Sequence, residues 1–239
     1  MAKHRIDIKG PIIPSSYKWY YNWFGEDSTC TKDVEKILNQ ANPGDDIEIY
    51  INSPGGVIDV GSEIYTLIRE KAEVCNVKIY IVGEACSAAS VIACAAYCAM
   101  SPTALMMVHC VSSGARGNHS ALEHAAEMLR TADRALCTAY TQKTGMSENE
   151  ALQMMEHETW LTAQQAKEKG LVDEVMFEEP EEPEYDPVAA GYLFKLPSKE
   201  QMERVKDLMD KEEPDGVDRK DIELANCKVN MLKLMQRRA

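Results

Sequence analysis

Although the chain carries eight cysteines in 239 residues, no Cys-x-x-Cys pair occurs. Their positions (30, 75, 86, 94, 98, 110, 137, 227) are scattered and several fall inside apolar runs, so they read as small buried thiols rather than a disulfide framework. Cys94 and Cys98 lie one helical turn apart, yet no histidine or cysteine near them in sequence completes a zinc ligand set, and no metal is expected. The opening Met1-Ala2-Lys3-His4-Arg5 leads straight into Ile6-Asp7-Ile8 without the apolar core of a signal peptide, so a cytoplasmic protein is expected. The longest small-residue run, Ala85 to Ala99, is broken by Ser and Tyr and is too short to span a bilayer. Positive charge is also in deficit: 26 Lys and Arg face 39 Asp and Glu, a net charge of −13 that argues against nucleic acid or an anionic membrane as partner.

What is present is an ordinary globular composition, 45% hydrophobic and 27% charged, in a chain long enough for one sizeable core. Residues 5–9 read as a first strand. The aromatic cluster Tyr17, Trp19, Tyr20, Tyr21, Trp23 and Phe24 reads either as an exposed interaction surface or as a packed flap or subunit contact. Ile47 to Asn52 forms a strand, Ser53-Pro54-Gly55-Gly56 a turn, and Val60, Ile64, Leu67 and Ile68 an amphipathic helix. Val77 to Val82 then forms a second strand, followed by Gly83-Glu84-Ala85-Cys86-Ser87-Ala88-Ala89-Ser90 and a small-residue helical segment. Two successive βα units imply an α/β fold with a largely parallel sheet. In such sheets sites gather at the carboxyl ends of strands, so Gly55-Gly56 and Ser87 are expected to face one another.

A third buried strand is expected over 103–111, and a long helix over 120–143 with Leu122, Ala125, Leu129, Ala132, Leu136 and Tyr140 on one stripe. A short helix opens at Ser147-Glu148-Asn149-Glu150, another covers 163–169, and Gly170 to Val175 makes a turn and closing strand. The run Glu178-Glu179-Pro180-Glu181-Glu182-Pro183-Glu184 changes the composition abruptly. We therefore expect a domain over 1–177, an acidic proline-containing linker over 178–197, and a helical tail over 198–239.

Ser87 sits where a strand enters a helix, a place where unpaired amides favour developing negative charge. A serine hydroxyl needs a base, a group that orients the base, and donors for an oxyanion. His109 is the candidate base and Glu158 the candidate orienting acid. The amides of Gly56 and Ala88 are candidate oxyanion donors, because glycine lets the main chain approach a substrate closely.

Four ordered motifs, Asn52-Ser53-Pro54-Gly55-Gly56-Val57, Gly83-Glu84-Ala85-Cys86-Ser87, Met106-Met107-Val108-His109, and Trp160-Leu161-Thr162-Ala163 with Gly170-Leu171-Val172-Asp173, closely resemble those of the Clp protease proteolytic subunit family. The resemblance covers 5–177 and implies a ClpP/crotonase-type spiral of ββα units. It implies Ser87 as nucleophile, His109 as general base, Gly56 and Ala88 at the oxyanion hole, no cofactor, and a homo-oligomeric ring, with helix 120–143 as the handle through which two rings meet. Three departures stand out. The family's triad aspartate falls at Glu158, so that either this longer carboxylate or another acid such as Asp173 serves. Cys86 replaces a small apolar residue beside the nucleophile. The aromatic insertion and the acidic tail resemble phage and prophage ClpP-like head maturation proteases, which implies capsid or scaffold proteins as substrates. The alternatives are a ClpP subunit fed by an ATP-driven unfoldase, a non-catalytic assembly protein on the same fold, and a crotonase-type acyl-CoA enzyme.

Overall fold

The computed structural model describes residues 1–178, with Glu203 beyond them. The chain divides into two units, Met1–Pro180 and Glu181–Ala239, and the fold here is that of the first. The linker and tail expected over 178–197 and 198–239 otherwise lie outside the described residues.

In chain order the elements are β1 (Lys3–Lys9), α1 (Lys18–Phe24), α2 (Thr31–Leu38), β2 (Asp46–Ser53), α3 (Ile58–Ala72), β3 (Asn76–Cys86), α4 (Ala88–Ala93), β4 (Tyr97–Met100), β5 (Leu105–Val108), α5 (His119–Thr144), α6 (Glu148–Glu156), β6 (Thr159–Thr162), α7 (Ala163–Glu168) and β7 (Glu174–Val175). β1, β2, β3, β4 and β7 pair in that order and all in parallel, as expected of βα units. The fold is the mixed α/β arrangement expected of the sequence, and it fits that of Clp proteases.

β1, β2 and the first half of β3 alternate. Ile6 and Ile8, Ile47, Ile49 and Ile51, and Ile79 and Ile81 are buried and pack into one core with Val34 and Leu38 of α2, Ile64 and Ile68 of α3, and Ile92 of α4. Their polar partners line the opposite face, where the Arg5 guanidinium lies 4.0 Å over the Tyr50 ring and Tyr50 stacks on Tyr80 at 5.1 Å.

Asp45 ties the start of the sheet together. Its carboxylate accepts from Ala2 N at 2.7 Å and Asn42 N at 3.0 Å and meets His4 Nε2 at 3.3 Å. These bonds, the one from Ala2 first, hold its carboxyl down at about 2, against about 3.9 in an unfolded chain. A group so depressed contributes stability above its unfolded value and loses it as pH falls through its folded value. Asp45→Asn is therefore expected to lower Tm at pH 7, with the gap to the parent closing between about pH 4 and pH 2. A gap independent of pH across that window, in a thermal melt series, contradicts the assignment.

β3 is the hinge of the architecture. Its first half pairs with β4 over Lys78–Ile81, and its second half with β5 over Glu84–Cys86. A register shift between Ile51 and Ser53 marks the β2 side of the same bend. β5 in turn pairs antiparallel with β6. α1 carries the aromatic cluster, which within a single chain stays on the surface: Trp19 is 70% and Trp23 81% exposed.

Candidate active site

β3 ends at Cys86 and α4 begins at Ala88, so Ser87 is the helix N-cap residue. Its backbone has φ 55° and ψ −125°, a conformation an L-residue holds only when its surroundings over-determine it. They do. Ser87 N donates to Met107 O at 2.9 Å, while Ser87 O accepts from Ser90 N at 2.9 Å and Ser90 Oγ at 2.6 Å. A serine on a sharp strand-to-helix turn presents its Oγ at the top of a sheet.

The parallel pairing of β3 with β5 does the rest of the placement. Ala85 lies beside Met106 and Cys86 beside Met107, so the residues leaving the two strands emerge side by side. His109 Nε2 lies 2.9 Å from Ser87 Oγ, within hydrogen-bond reach for proton transfer.

The glycine turn comes up against the same point. Ser53 Oγ braces it by donating to Gly10 O at 2.6 Å and accepting from Gly55 N at 3.1 Å. Ile12 N donates to Gly55 O, and Val57 N donates to Ile12 O. This one-residue parallel bridge consumes the groups flanking Gly56, so the Gly56 N–H points away from Ile12. A Cβ on Gly55 would stand 2.7 Å from Ser87 Cβ and 3.0 Å from Ala88 N, which measures how closely the turn adjoins the start of α4. As the first residue of α4, Ala88 has an amide with no acceptor inside the helix. The glycine turn that carries Gly56 thus adjoins the start of α4 at Ala88.

The acids fall differently. β5 and β6 pair Val108 with Thr159, where their antiparallel ladder ends, so His109 and Glu158 each lie one residue beyond it. Glu158 has φ 46°, and its carboxylate accepts from Trp160 Nε1 at 3.4 Å. Among the described residues no hydrogen bond joins it to the imidazole. Asp173 accepts from Cys98 N at 2.7 Å and pairs with Lys143, engagements that tie β4 to α5. The structure therefore brings Ser87 and His109 together, leaves the Glu158 carboxylate on Trp160, and uses Asp173 elsewhere.

Cys86 is buried, and that burial, with the Glu84 carboxylate 3.7 Å from Sγ, pushes its thiol up to about 12. At neutral pH it is a protonated packing group. Cys94 and Cys98 are likewise core residues whose thiols burial pushes up. Among the described residues, no group of three metal-ligating side chains comes together and no helix is long and apolar enough to cross a membrane.

Two further polar residues are built into this region. Asp133 of α5 is only 9% exposed, and its Oδ1 accepts from Val111 N at 2.6 Å, two residues beyond His109. Ser90 is fully buried, with Oγ 2.8 Å from the Tyr140 hydroxyl. A carboxylate on the inward stripe of an amphipathic helix was the available signal for Asp133.

A parallel α/β sheet with a strained serine between strand and helix, and a histidine on the neighbouring strand, has the layout of serine-type hydrolases. The sequence pattern of the Clp protease family matches residues 28–179, more than half of the chain, and the chain belongs to that family of serine-type peptidases. It is similar to the ATP-dependent Clp protease proteolytic subunits of two Bacteroides fragilis strains, NCTC 9343 and YCH46, at 34% identity over 146 residues. That alignment covers 58% of this chain and 68% and 64% of the two relatives, about two thirds of their length.

Proposed function

We propose that this chain is a serine endopeptidase that cleaves through an acyl-enzyme, with Ser87 as nucleophile and His109 as general base and then general acid. The observation that carries the reading is the 2.9 Å contact of His109 Nε2 with the Oγ of a strained N-cap serine. His109 takes the Ser87 proton as Oγ bonds to the scissile carbonyl carbon, and passes it to the leaving amine as the tetrahedral intermediate collapses. Water then repeats the sequence on the ester. The amides of Gly56 and Ala88 stabilise the oxyanion. Glu158 orients the imidazole, a role supported by its place one residue outside the Val108–Thr159 pair that closes the β5–β6 ladder, where His109 follows on the other strand; it reaches the ring by turning its side chain away from Trp160.

The substrates proposed are phage capsid or scaffold proteins, cut without an ATPase by a homo-oligomeric ring in the host cytoplasm. The aromatic helix α1, the acidic segment from Glu178, and the Ala-Cys-Ser-Ala-Ala-Ser run around the nucleophile support this reading. Similarity to ATP-dependent Clp protease proteolytic subunits favours a second one, in which an ATP-driven unfoldase feeds the ring.

Incubating the purified chain with a folded capsid or scaffold protein, with and without an unfoldase and ATP, separates them. Cleavage without ATP, lost in Ser87→Ala, is expected. Cleavage only with the unfoldase selects the second reading, and no cleavage in either arm overturns the peptidase assignment.

A further inference from the structure

We propose that α5 holds the two halves of the Ser87–His109 pair in register, with Tyr140 and Asp133 as positioning residues. The proposal rests on the hydrolytic reading above. Seven residues separate the two, two helical turns, so both lie on the buried face of α5.

From Tyr140 a chain of hydrogen bonds runs to the nucleophile's own peptide. Ser90 has a single hydroxyl proton and gives it to Ser87 O at 2.6 Å. The Tyr140 hydroxyl, 2.8 Å from Ser90 Oγ, is then the donor of that pair. Burial raises the Tyr140 hydroxyl above its ordinary range, in keeping with a group that keeps its proton. The carbonyl so anchored belongs to the residue with φ 55°, which has to be held in place by its neighbours.

From Asp133 a second anchor runs to the base. Oδ1 receives Val111 N at 2.6 Å, and burial, with the charge of the same carboxylate, pushes the neighbouring Cys110 thiol up to about 11. Cys110 N donates to Met155 O of α6 at 3.1 Å. The two residues that follow His109 are thereby fixed to α5 and α6. An aliphatic side chain would fill the place of Asp133 without the desolvation cost of a carboxylate, so packing alone does not account for an aspartate there.

The test is the rate of inactivation of the full chain by a fluorophosphonate, resolved into the maximal rate kinact and the half-saturating concentration KI. Because neither residue touches the reagent, the loss falls on kinact, with KI within about twofold of the parent. Tyr140→Phe, which removes one oxygen and no volume, is expected to lower kinact about three- to tenfold. Asp133→Ala is expected to lower it about tenfold or more, whereas Asp133→Asn, which keeps Oδ1 as acceptor, stays within about threefold of the parent. If Asp133→Ala does not fold, Tyr140→Phe and Asp133→Asn still decide. Parental kinact in Tyr140→Phe overturns the proposal, as does an effect confined to KI. A parent chain that does not react at all overturns the hydrolytic reading itself, a result distinct from these.

Discussion

His109→Ala is expected to reduce peptide-bond cleavage by about four to six orders of magnitude while leaving the melting temperature near that of the parent. The Ser87 hydroxyl stays protonated at neutral pH and attacks a carbonyl only as a base removes its proton. His109 Nε2 lies 2.9 Å from it, and among the described residues no other imidazole or carboxylate is hydrogen-bonded to Ser87 Oγ. The ring is half-buried, and Ser87 Oγ is its hydrogen-bond partner, so truncation breaks no structural network. The stability change should stay within about 1 kcal/mol. Glu158→Gln is expected to cost less than His109→Ala, because that carboxylate acts only through the imidazole. Cleavage rates and thermal melts on the three proteins check this, and a His109→Ala variant within tenfold of the parent contradicts it.

The second large effect is predicted at Gly55, beside the nucleophile. Its φ of +90° is unfavourable for any residue with a Cβ, and an added Cβ would stand 2.5 Å from Cys86 O and 2.7 Å from Ser87 Cβ. The carbonyl is main chain in a paired strand, so something must shift, and what shifts is the turn carrying the nucleophile. Gly55→Ala is expected to cost about 2–5 kcal/mol, the left-handed backbone and the overpacking together. Displacement of Ser87 should also lower the rate of covalent labelling by about a hundredfold. Gly44→Ala is the matched control. It has a similar φ of +87° but open space around the added methyl, so it should pay the backbone term alone and label normally. Equal labelling in the two variants contradicts the close approach of the glycine turn to the serine.

How much of this was legible in the sequence follows from what each signal rests on. The isoleucine alternation of β1, β2 and β3 and the glycine turn between β2 and α3 mark the parallel core, because burial on one face imposes period two on a strand. The long helix expected over 120–143 is observed as His119–Thr144, and its Gly145 C-cap is visible as sequence. By contrast Tyr97–Met100 and Thr159–Thr162, four residues each, have no period that marks them as strands. They exist because longer neighbours offer them an edge. The expected strand over 103–111 shrinks to Leu105–Val108, since the chain must leave the sheet for His109 to meet Ser87.

The site divides in the same way. Motifs single out Ser87 and His109, and parallel pairing of β3 with β5 explains their meeting. Asp133 and Tyr140 carry no motif, and the run that ends at Ser90 does not reveal what its hydroxyl bonds. Their roles lie in long-range bonds from α5 to α4 and to the loop after β5, and only the folded chain states which buried polar groups answer one another.

The most direct test of the central claim is intact-mass analysis of the assembled protein after fluorophosphonate treatment, with accessible thiols first blocked by iodoacetamide. Ser87→Ala and His109→Ala variants are run beside it. The account predicts one adduct, located on Ser87, absent from Ser87→Ala and strongly slowed in His109→Ala. No adduct on the parent, or an adduct that persists undiminished in Ser87→Ala, contradicts it.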